Sequence, residues 1–275
     1  MNWSQRQVDM LASMGIKLWQ APPKERQALP QSVAAPAPAP ARVQVQRSPL
    51  MATADDEMLA VLEAPRQPPV SAPITAKQCD TAHLDWPALR EAVQECRACA
   101  LCETRTQTVF GIGNTSAQWM IVGEAPGEQE DLRGEPFVGP AGQLLDNMLA
   151  ALGLTRQEAG SDKQVFIANT LKCRPPSNRN PQPDELAQCE PYLQRQIALV
   201  RPRIILAMGR FAVQALLQTD EPIGRLRGRV HQYQGVPLVV TYHPAYLLRN
   251  LADKSRAWQD LRLARTVLIG AGRGT

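Results

Sequence analysis

The chain has 275 residues, 44% of them hydrophobic, and a formal net charge of only +4. No apolar run approaches a membrane span, and the N-terminus lacks the residue order of a signal peptide, so we expect a cytoplasmic protein with no membrane attachment. A charge this small does not indicate nucleic-acid binding, so any basic surface must be local. Six cysteines in such a chain favour metal or redox chemistry over a disulfide framework.

The N-terminal part of the chain divides into two regions of different composition. Residues 1–20 predict one short amphipathic helix, with a capping box at Ser4 and Gln7 and a stop at Gly15, suited to docking on a partner. Residues 21–85 are rich in proline and alanine, which neither continue a helix nor bury much surface. We expect them to form a semi-extended, disordered linker.

A folded domain is expected at residues 86–270, where apolar and amphipathic segments alternate. Buried strands are predicted at residues 119–123, 165–170, 204–209 and 238–242, and helices at residues 141–152, 183–200, 210–217 and about 255–269. This α/β alternation predicts a three-layer α/β/α sandwich around a short, mainly parallel sheet of four strands. Ligands bind beyond the carboxyl ends of such strands, so the polar and glycine-rich strand ends should converge on one site.

The cysteines are spaced like ligands. Cys96 and Cys99 form a C-x-x-C pair, and Cys173 and Cys189 follow far downstream. Four thiolates bind zinc or hold an iron–sulfur cluster, and the spacing alone favours neither. Cys102 extends the first pair to C-x-x-C-x-x-C, which leaves a shifted ligand set open. Cys79 is expected to be a spare thiol at the edge of the linker.

Four motifs lie within the predicted domain. They are GEAPGEQED at residues 123–131, PFVGPAG at 136–142, NTLKCRPP at 169–176 and HPAYLLR at 243–249. In order and spacing they resemble the motifs of the family 4 uracil-DNA glycosylases, over a stretch from about residue 96 to residue 263. The resemblance implies the fold of the uracil-DNA glycosylase superfamily. It also implies a monomeric DNA-repair enzyme of the bacterial cytoplasm, active at the nucleoid, that cuts uracil from uracil-containing DNA and leaves an abasic site.

The resemblance also implies a 4Fe–4S cluster held by Cys96, Cys99, Cys173 and Cys189. Its expected task is to pin the Pro- and Arg-rich loop between the last two cysteines, as a crosslink would. That loop would present Arg174 and Arg179 to DNA phosphates. Residues 225–229 carry further positive charge, and their sequence fits a DNA contact and a solvated hairpin equally.

Three residues are expected to recognise and release the base. Asn169 carries both an acceptor and donors, so it can accept from uracil N3–H and donate to O4, a pattern that cytosine reverses. Phe137 is expected to stack on the flipped ring. His243 is expected to donate to uracil O2 as negative charge develops on the leaving base.

The first motif indicates which residues could activate or position the attacking water. Related families place an Asp or Asn where this chain has Ala125, and an alanine cannot activate water. Glu124 and Glu130 remain candidates for positioning water or for filling the space beside uracil C5, while the Glu124 and Ala125 backbone N–H groups are expected to bind O2. A dissociative pathway dominated by leaving-group stabilisation is therefore predicted.

The last motif predicts contacts with an opened duplex. One of Leu247 and Leu248 is expected to wedge into the gap left by uracil, the other to pack in its helix, and Arg249 to contact phosphate.

Two other functions remain open. A cysteine-cluster module that binds nucleic acid without catalysis would share the cysteines, but it does not explain His243 and Asn169 at converging strand ends. A covalent uracil-trapping relative would carry a nucleophilic histidine after the Asn-bearing strand, where this chain has the sequence KCRPP at residues 172–176. Separately, residues 10–19 faintly resemble the peptide by which the psi subunit of the bacterial replicative clamp loader docks, which suggests a replication partner.

Overall fold

A computed structural model of the protein describes Asp9 and residues 80–271. Apart from Asp9, the predicted helix at residues 1–20 lies outside the described residues, as do Cys79 and most of the predicted linker. Packing begins upstream of residue 86, because the Thr81 hydroxyl donates to the carbonyl of Pro191 at 3.1 Å and Arg195 donates to the carbonyl of Leu84 at 2.6 Å.

The elements of the described domain alternate between strands and helices. The helices are α1 (Trp86–Gln94), α2 (Leu101–Thr104), α3 (Glu128–Arg133), α4 (Pro140–Ala150), α5 (Pro183–Val200), α6 (Arg210–Leu217), α7 (Ile223–Leu226), α8 (Pro244–Arg249) and α9 (Lys254–Ala271), with 3-10 turns at Pro176–Asn178 and Leu251–Asp253. The strands are β1 (Ile112–Gly113), β2 (Trp119–Gly123), β3 (Phe166–Asn169), β4 (Ile204–Met208), β5 (Val230–Tyr233) and β6 (Val236–Thr241). Within residues 80–271, no helix has the length and apolar character needed to cross a membrane.

The strands form one sheet in the order β1-β3-β2-β4-β6-β5. The four inner strands are parallel, and β1 and β5 pair antiparallel at the two edges. The predicted parallel core is therefore confirmed, but the sheet has six strands and not four. The sequence did not reveal the edges because β1 has only two residues and β5 is half exposed, so neither forms an apolar run.

Alternate residues of the inner strands face two separate hydrophobic layers, as the strand geometry requires. On one face Ile121 packs with residues of α4, α8 and α9, and on the other Met120 and Val122 pack with residues of α5 and α6. Strands β2, β3 and β4 are buried along their whole length. This burial on both faces confirms the three-layer sandwich and brings the carboxyl ends of the parallel strands to one edge of the sheet.

Candidate active site

A cleft of about 740 Å³ opens at the carboxyl ends of the parallel strands. Each of these strands contributes residues at or just beyond its end: Glu124 and Ala125 after β2, Asn169 from β3, Gly209 and Arg210 after β4, and Tyr242 and His243 after β6. Phe137 and Glu130 line the same cleft from the connection between β2 and β3. The structure thus brings together the residues that the sequence predicted to recognise and release a base.

Asn169 presents an unused hydrogen-bonding group to the cleft. Its side chain is only 2% exposed, and its Oδ1 has no hydrogen-bond partner among the described residues. A buried acceptor without a partner costs about 1–3 kcal/mol, so this oxygen is poised for a donor that a ligand brings.

Gly123, the residue before Glu124, makes room for this arrangement. A Cβ at this position would lie 2.4 Å from Asn169 Oδ1 and 2.5 Å from Phe137 Cζ. Any larger residue would therefore displace both side chains, which explains the glycine that opens the first motif.

Phe137 lies in a strained turn that is held by a carboxylate. Its φ of 56° is in the left-handed region, and its ring stacks on that of His243 with centroids 5.3 Å apart. Glu130 Oε1 accepts from the backbone N–H groups of Val138 at 2.9 Å and Gly139 at 3.2 Å, while Oε2 accepts from Gly127 at 3.0 Å. Glu130 thus holds the loop that carries Phe137. Its role toward water or uracil C5 stays a prediction.

His243 is a half-buried, neutral imidazole whose tautomer follows from one hydrogen bond. It caps the N-terminus of α8, and its Nδ1 accepts from the backbone N–H of Ala245 at 3.2 Å. Burial lowers the pKa of His243 to about 4, an effect that the nearby Arg249 reinforces and Glu130 opposes. At neutral pH the ring therefore carries one proton, and because Nδ1 accepts, that proton is on Nε2. Nε2 is then a neutral hydrogen-bond donor.

Glu124 is the other carboxylate of the first motif that lines the cleft. Burial raises the pKa of Glu124 to about 7, although Arg210 partly opposes the shift. The carboxyl is therefore close to half protonated at neutral pH, so it can accept or donate a hydrogen bond there. Ala125 lines the cleft beside it and offers only backbone groups.

Both predicted DNA-contacting arginines also make contacts within the protein. Arg174 Nε donates to Asn178 Oδ1 at 2.8 Å, and its Nη2 lies 3.8 Å from Glu128 Oε2. Arg179 forms a two-nitrogen salt bridge with Glu185, at 2.9 and 2.5 Å, and also donates to the Asn180 carbonyl. Arg179 therefore holds its own loop in shape, and its contact with phosphate stays a prediction.

The two leucines that follow His243 differ in their exposure to solvent. Leu247 is 1% exposed and packs in the hydrophobic layer with α4 and α9, whereas Leu248 is 41% exposed. Leu247 therefore cannot act as a wedge, and Leu248 is the leucine that faces solvent. Arg249 lines the cleft. In the basic stretch at residues 225–229, Arg227 is not a free cation, because it forms a two-nitrogen salt bridge with the fully buried Asp260.

Five cysteines surround a second, small pocket. Cys96, Cys99, Cys102, Cys173 and Cys189 all line it and none forms a disulfide. Burial raises the pKa of the Cys189 thiol to about 12 and that of Cys99 to about 11, while Arg105 donates to Cys173 Sγ at 3.0 Å. Across residues 80–271, no three His, Cys, Asp or Glu side chains are arranged to hold a single metal ion.

Several cleft residues were not identified from the sequence. Arg210 follows Gly209, whose φ of 93° turns the chain from β4 into α6, and Asn178 and Asn180 reach the cleft from the cysteine loop. Tyr246 lines the cleft and stacks on Tyr242 with centroids 5.1 Å apart. The position of Arg210 at this edge was expected, because it belongs to a predicted polar strand end, but no role was assigned to it. The two asparagines gave no signal, because their positions depend on the loop's path.

The matching family model, described as the uracil DNA glycosylase superfamily, covers residues 110–262. A type-4 uracil-DNA glycosylase from Archaeoglobus fulgidus is 44% identical over 164 residues, which are 57% of this chain and 79% of that protein. Another from Thermotoga maritima is 39% identical over 186 residues, 66% of this chain and 94% of that protein. A type-5 enzyme from Pyrobaculum aerophilum is 33% identical over 146 residues, 49% of this chain and 64% of that protein.

Proposed function

This chain belongs to the type-4 uracil-DNA glycosylases, and on that premise we propose that its cleft hydrolyses the N-glycosidic bond of deoxyuridine in DNA. The products are free uracil and an abasic site, the starting point of base excision repair in the cytoplasm. One observation carries the proposal. The buried Oδ1 of Asn169, which has no partner within residues 80–271, lines the same cleft as the donor nitrogen of His243.

Recognition of uracil rests on the pattern of donors and acceptors. Asn169 Oδ1 accepts from uracil N3–H, and the side-chain amide donates to O4. Cytosine has an acceptor at N3 and a donor at N4, so it would leave both pairs unmatched at about 1–3 kcal/mol each. Phe137 stacks on the extruded base, which contributes about 1–3 kcal/mol. Opening a U·G mismatch costs less than opening a matched pair, which favours the damaged site.

Cleavage depends on stabilising the leaving base. As the bond to the sugar breaks, negative charge develops on uracil O2, and the neutral Nε2–H of His243 donates to it together with the backbone N–H groups of Glu124 and Ala125. A preorganised donor of this kind contributes about 3–4 kcal/mol. Glu124 then either positions the water that attacks the sugar or fills the space beside C5 that a thymine methyl would need. No carboxylate acts at position 125, in keeping with a dissociative pathway.

We propose that Cys96, Cys99, Cys173 and Cys189 hold a 4Fe–4S cluster. These cysteines line one pocket, and the Arg105 guanidinium, which donates to Cys173 Sγ, lies where it would balance an anionic group. The ligands of a cluster bind different irons and so lie farther apart than ligands of one ion, which suits thiols that are not grouped around a single ion. When bound, the cluster would crosslink the two distant chain segments. Cys102 lines the same pocket, so a shifted ligand set is tested alongside.

Visible absorbance and iron content separate this cluster from zinc, which is colourless. Single Ala variants of the five pocket cysteines identify the ligands. We expect four to lose the colour and Cys102→Ala to keep it.

Contacts with DNA would surround the cleft. We assign Arg174, Arg210 and Arg249 to phosphates and the exposed Leu248 to the gap left by the extruded base, with Arg179 holding the loop in place. Replacing one phosphate-binding arginine should weaken DNA binding similarly for all sequences and reduce its dependence on salt. A contact with the uracil itself would instead change sequence preference.

The N-terminal extension is proposed, from sequence alone, to hold the enzyme near a replication protein, since residues 1–20 lie outside the described residues apart from Asp9. A tethered peptide raises the effective concentration of its enzyme at the bound partner. A pull-down with a peptide of residues 1–25 tests this, with the Trp19→Ala peptide as control. Retention of a replication protein by the wild-type peptide alone is expected. No retention, or equal retention by both peptides, would remove the proposal.

The recognition step is tested from the substrate side. Single-stranded DNA with deoxyuridine should be cleaved, and the same strand with N3-methyl-deoxyuridine should resist cleavage, because the methyl group removes the donor to Asn169 Oδ1. The Asn169→Ala variant is the matched control, and it should distinguish the two substrates much less. Equal cleavage of both strands by the wild-type protein would show that N3–H is not read and would overturn the assignment.

A further inference from the structure

Lys172 links the base-recognition strand to the cysteine pocket. Its side chain is only 1% exposed, and it is among the largest fully buried side chains of the described domain. The Nζ donates to the backbone carbonyl of Asn169 at 2.7 Å and to Gln196 Oε1 at 2.8 Å. Gln196, itself fully buried, donates onward to the carbonyl of Phe110 at 2.8 Å.

Lys172 also lines the cysteine pocket and is followed directly by Cys173. Its backbone carbonyl also accepts from Val109 at 2.8 Å, so main chain and side chain are both fixed. One residue therefore contacts the last residue of β3 and also lines the cysteine pocket.

A buried lysine without a carboxylate partner is costly, and Lys172 has no salt bridge within residues 80–271. Its described hydrogen-bond acceptors are neutral oxygens. An apolar residue of similar length would fill the same space without that desolvation cost. The two hydrogen bonds to neutral oxygens therefore give the amine a contact at the end of β3 in addition to its place beside the thiols.

We propose that Lys172 is a positioning residue for Asn169. Its amine donates to the Asn169 carbonyl and so fixes the end of β3, which holds the Asn169 side chain where it can bind uracil. The inference rests on the proposed function, because it concerns the binding of the same base. A positioning role differs from an ordinary packing role in one respect. Loss of the Lys172 amine should weaken uracil binding only when the Asn169 side chain is present.

A double-mutant cycle on the full chain tests this. Lys172→Met keeps the length and apolar volume of the side chain but cannot donate, and Asn169→Ala removes the group that is positioned. Binding is measured with DNA carrying 2′-fluoro-deoxyuridine, whose fluorine opposes positive charge on the sugar and so blocks cleavage. The same strand with thymine reports DNA binding that does not depend on uracil. Lys163→Met, a substitution of an exposed lysine, is the control variant.

We expect Lys172→Met to weaken binding of the uracil strand by about tenfold, which corresponds to about 1.4 kcal/mol. Binding of the thymine strand and the metal content should stay unchanged, and kcat/KM for uracil release should fall in parallel. In the Asn169→Ala background Lys172→Met should have no further effect beyond about twofold, since both changes remove the same contact. Unchanged uracil binding in Lys172→Met, or losses that multiply in the double variant, would overturn the inference.

A second variant and the wild-type protein distinguish the ways in which this test can fail. If Lys172→Met does not fold or loses its metal, Gln196→Met removes the second acceptor of the amine and should show a smaller loss with the same dependence on Asn169. A loss that is independent of Asn169 would again refute positioning. A wild-type protein that neither releases uracil nor prefers the uracil strand would instead refute the proposed function, so the two failures are distinct.

Discussion

Replacing Asn169 by Ala separates function from stability. In the free protein Oδ1 is buried, and no partner for it lies within residues 80–271, so its removal sacrifices no hydrogen bond of that oxygen. With uracil bound, the variant loses the contacts to N3–H and O4. Each contributes about 1 kcal/mol or more, so the combined loss is at least about 2 kcal/mol, or about thirtyfold in rate. The melting temperature should shift by no more than about 2–4 °C.

The assay is single-turnover release of uracil from a labelled single strand, with the abasic product cleaved by alkali, beside a thermal melt of the same preparation. Asn169→Asp is the informative companion, because a protonated Asp donates where Asn accepts. We expect it to weaken uracil cleavage and to gain cytosine cleavage as the pH falls. A normal rate in Asn169→Ala would refute the role of Asn169, and the thermal melt shows that the variant is folded when its rate is measured.

The remaining predictions concern the other groups of the site. His243→Ala should slow uracil release by at least about a hundredfold. Because the folded pKa of His243 is lowered from 6.5 to about 4, its contribution to stability is present above pH 6.5 and lost as the pH falls toward 4, a slope that the variant should lack in acid denaturation. Glu124, with a pKa of about 7, should give kcat/KM an inflection near that pH, and Glu124→Gln should abolish it. Cys173→Ala should yield colourless, poorly soluble protein with reduced iron, whereas Cys79→Ala should match the wild type in iron analysis. Deletion of residues 1–80 should leave uracil release in vitro largely intact, and a large loss of activity would show that the extension contributes to the site.

Most of the central fold could be predicted because apolar periodicity decides it. The helix predicted at residues 183–200 corresponds to α5 (Pro183–Val200), and the one at residues 210–217 to α6 (Arg210–Leu217). The parallel strands are continuous apolar runs because both faces are buried. The edge strands β1 and β5 lack that signal, because β1 has only two residues and β5 is half exposed.

The role of a site residue could be predicted where its side-chain type and its place after a strand determine its chemistry. It could not be predicted where the role depends on hydrogen bonds to backbone groups elsewhere in the fold. Asn169 and His243 follow strand ends, so the topology brings them together. The loop-holding role of Glu130 could not be predicted, because it depends on three backbone donors that the sequence does not reveal. Leu247 and Leu248 are equivalent in sequence, and only the rotation of α8 distinguishes them. Lys172 gives no sequence signal, because a lysine is ordinarily exposed.

The most direct test of the account is the number of free uracil molecules that one molecule of purified protein releases from uracil-containing DNA, without added divalent metal or nucleotide. We predict many releases per molecule, with an abasic site left at each uracil and no release from matched strands that carry thymine or cytosine. No release would favour a module that only binds nucleic acid. A single event that leaves the protein covalently joined to DNA would indicate a trapping protein, and either result would contradict the proposed hydrolysis.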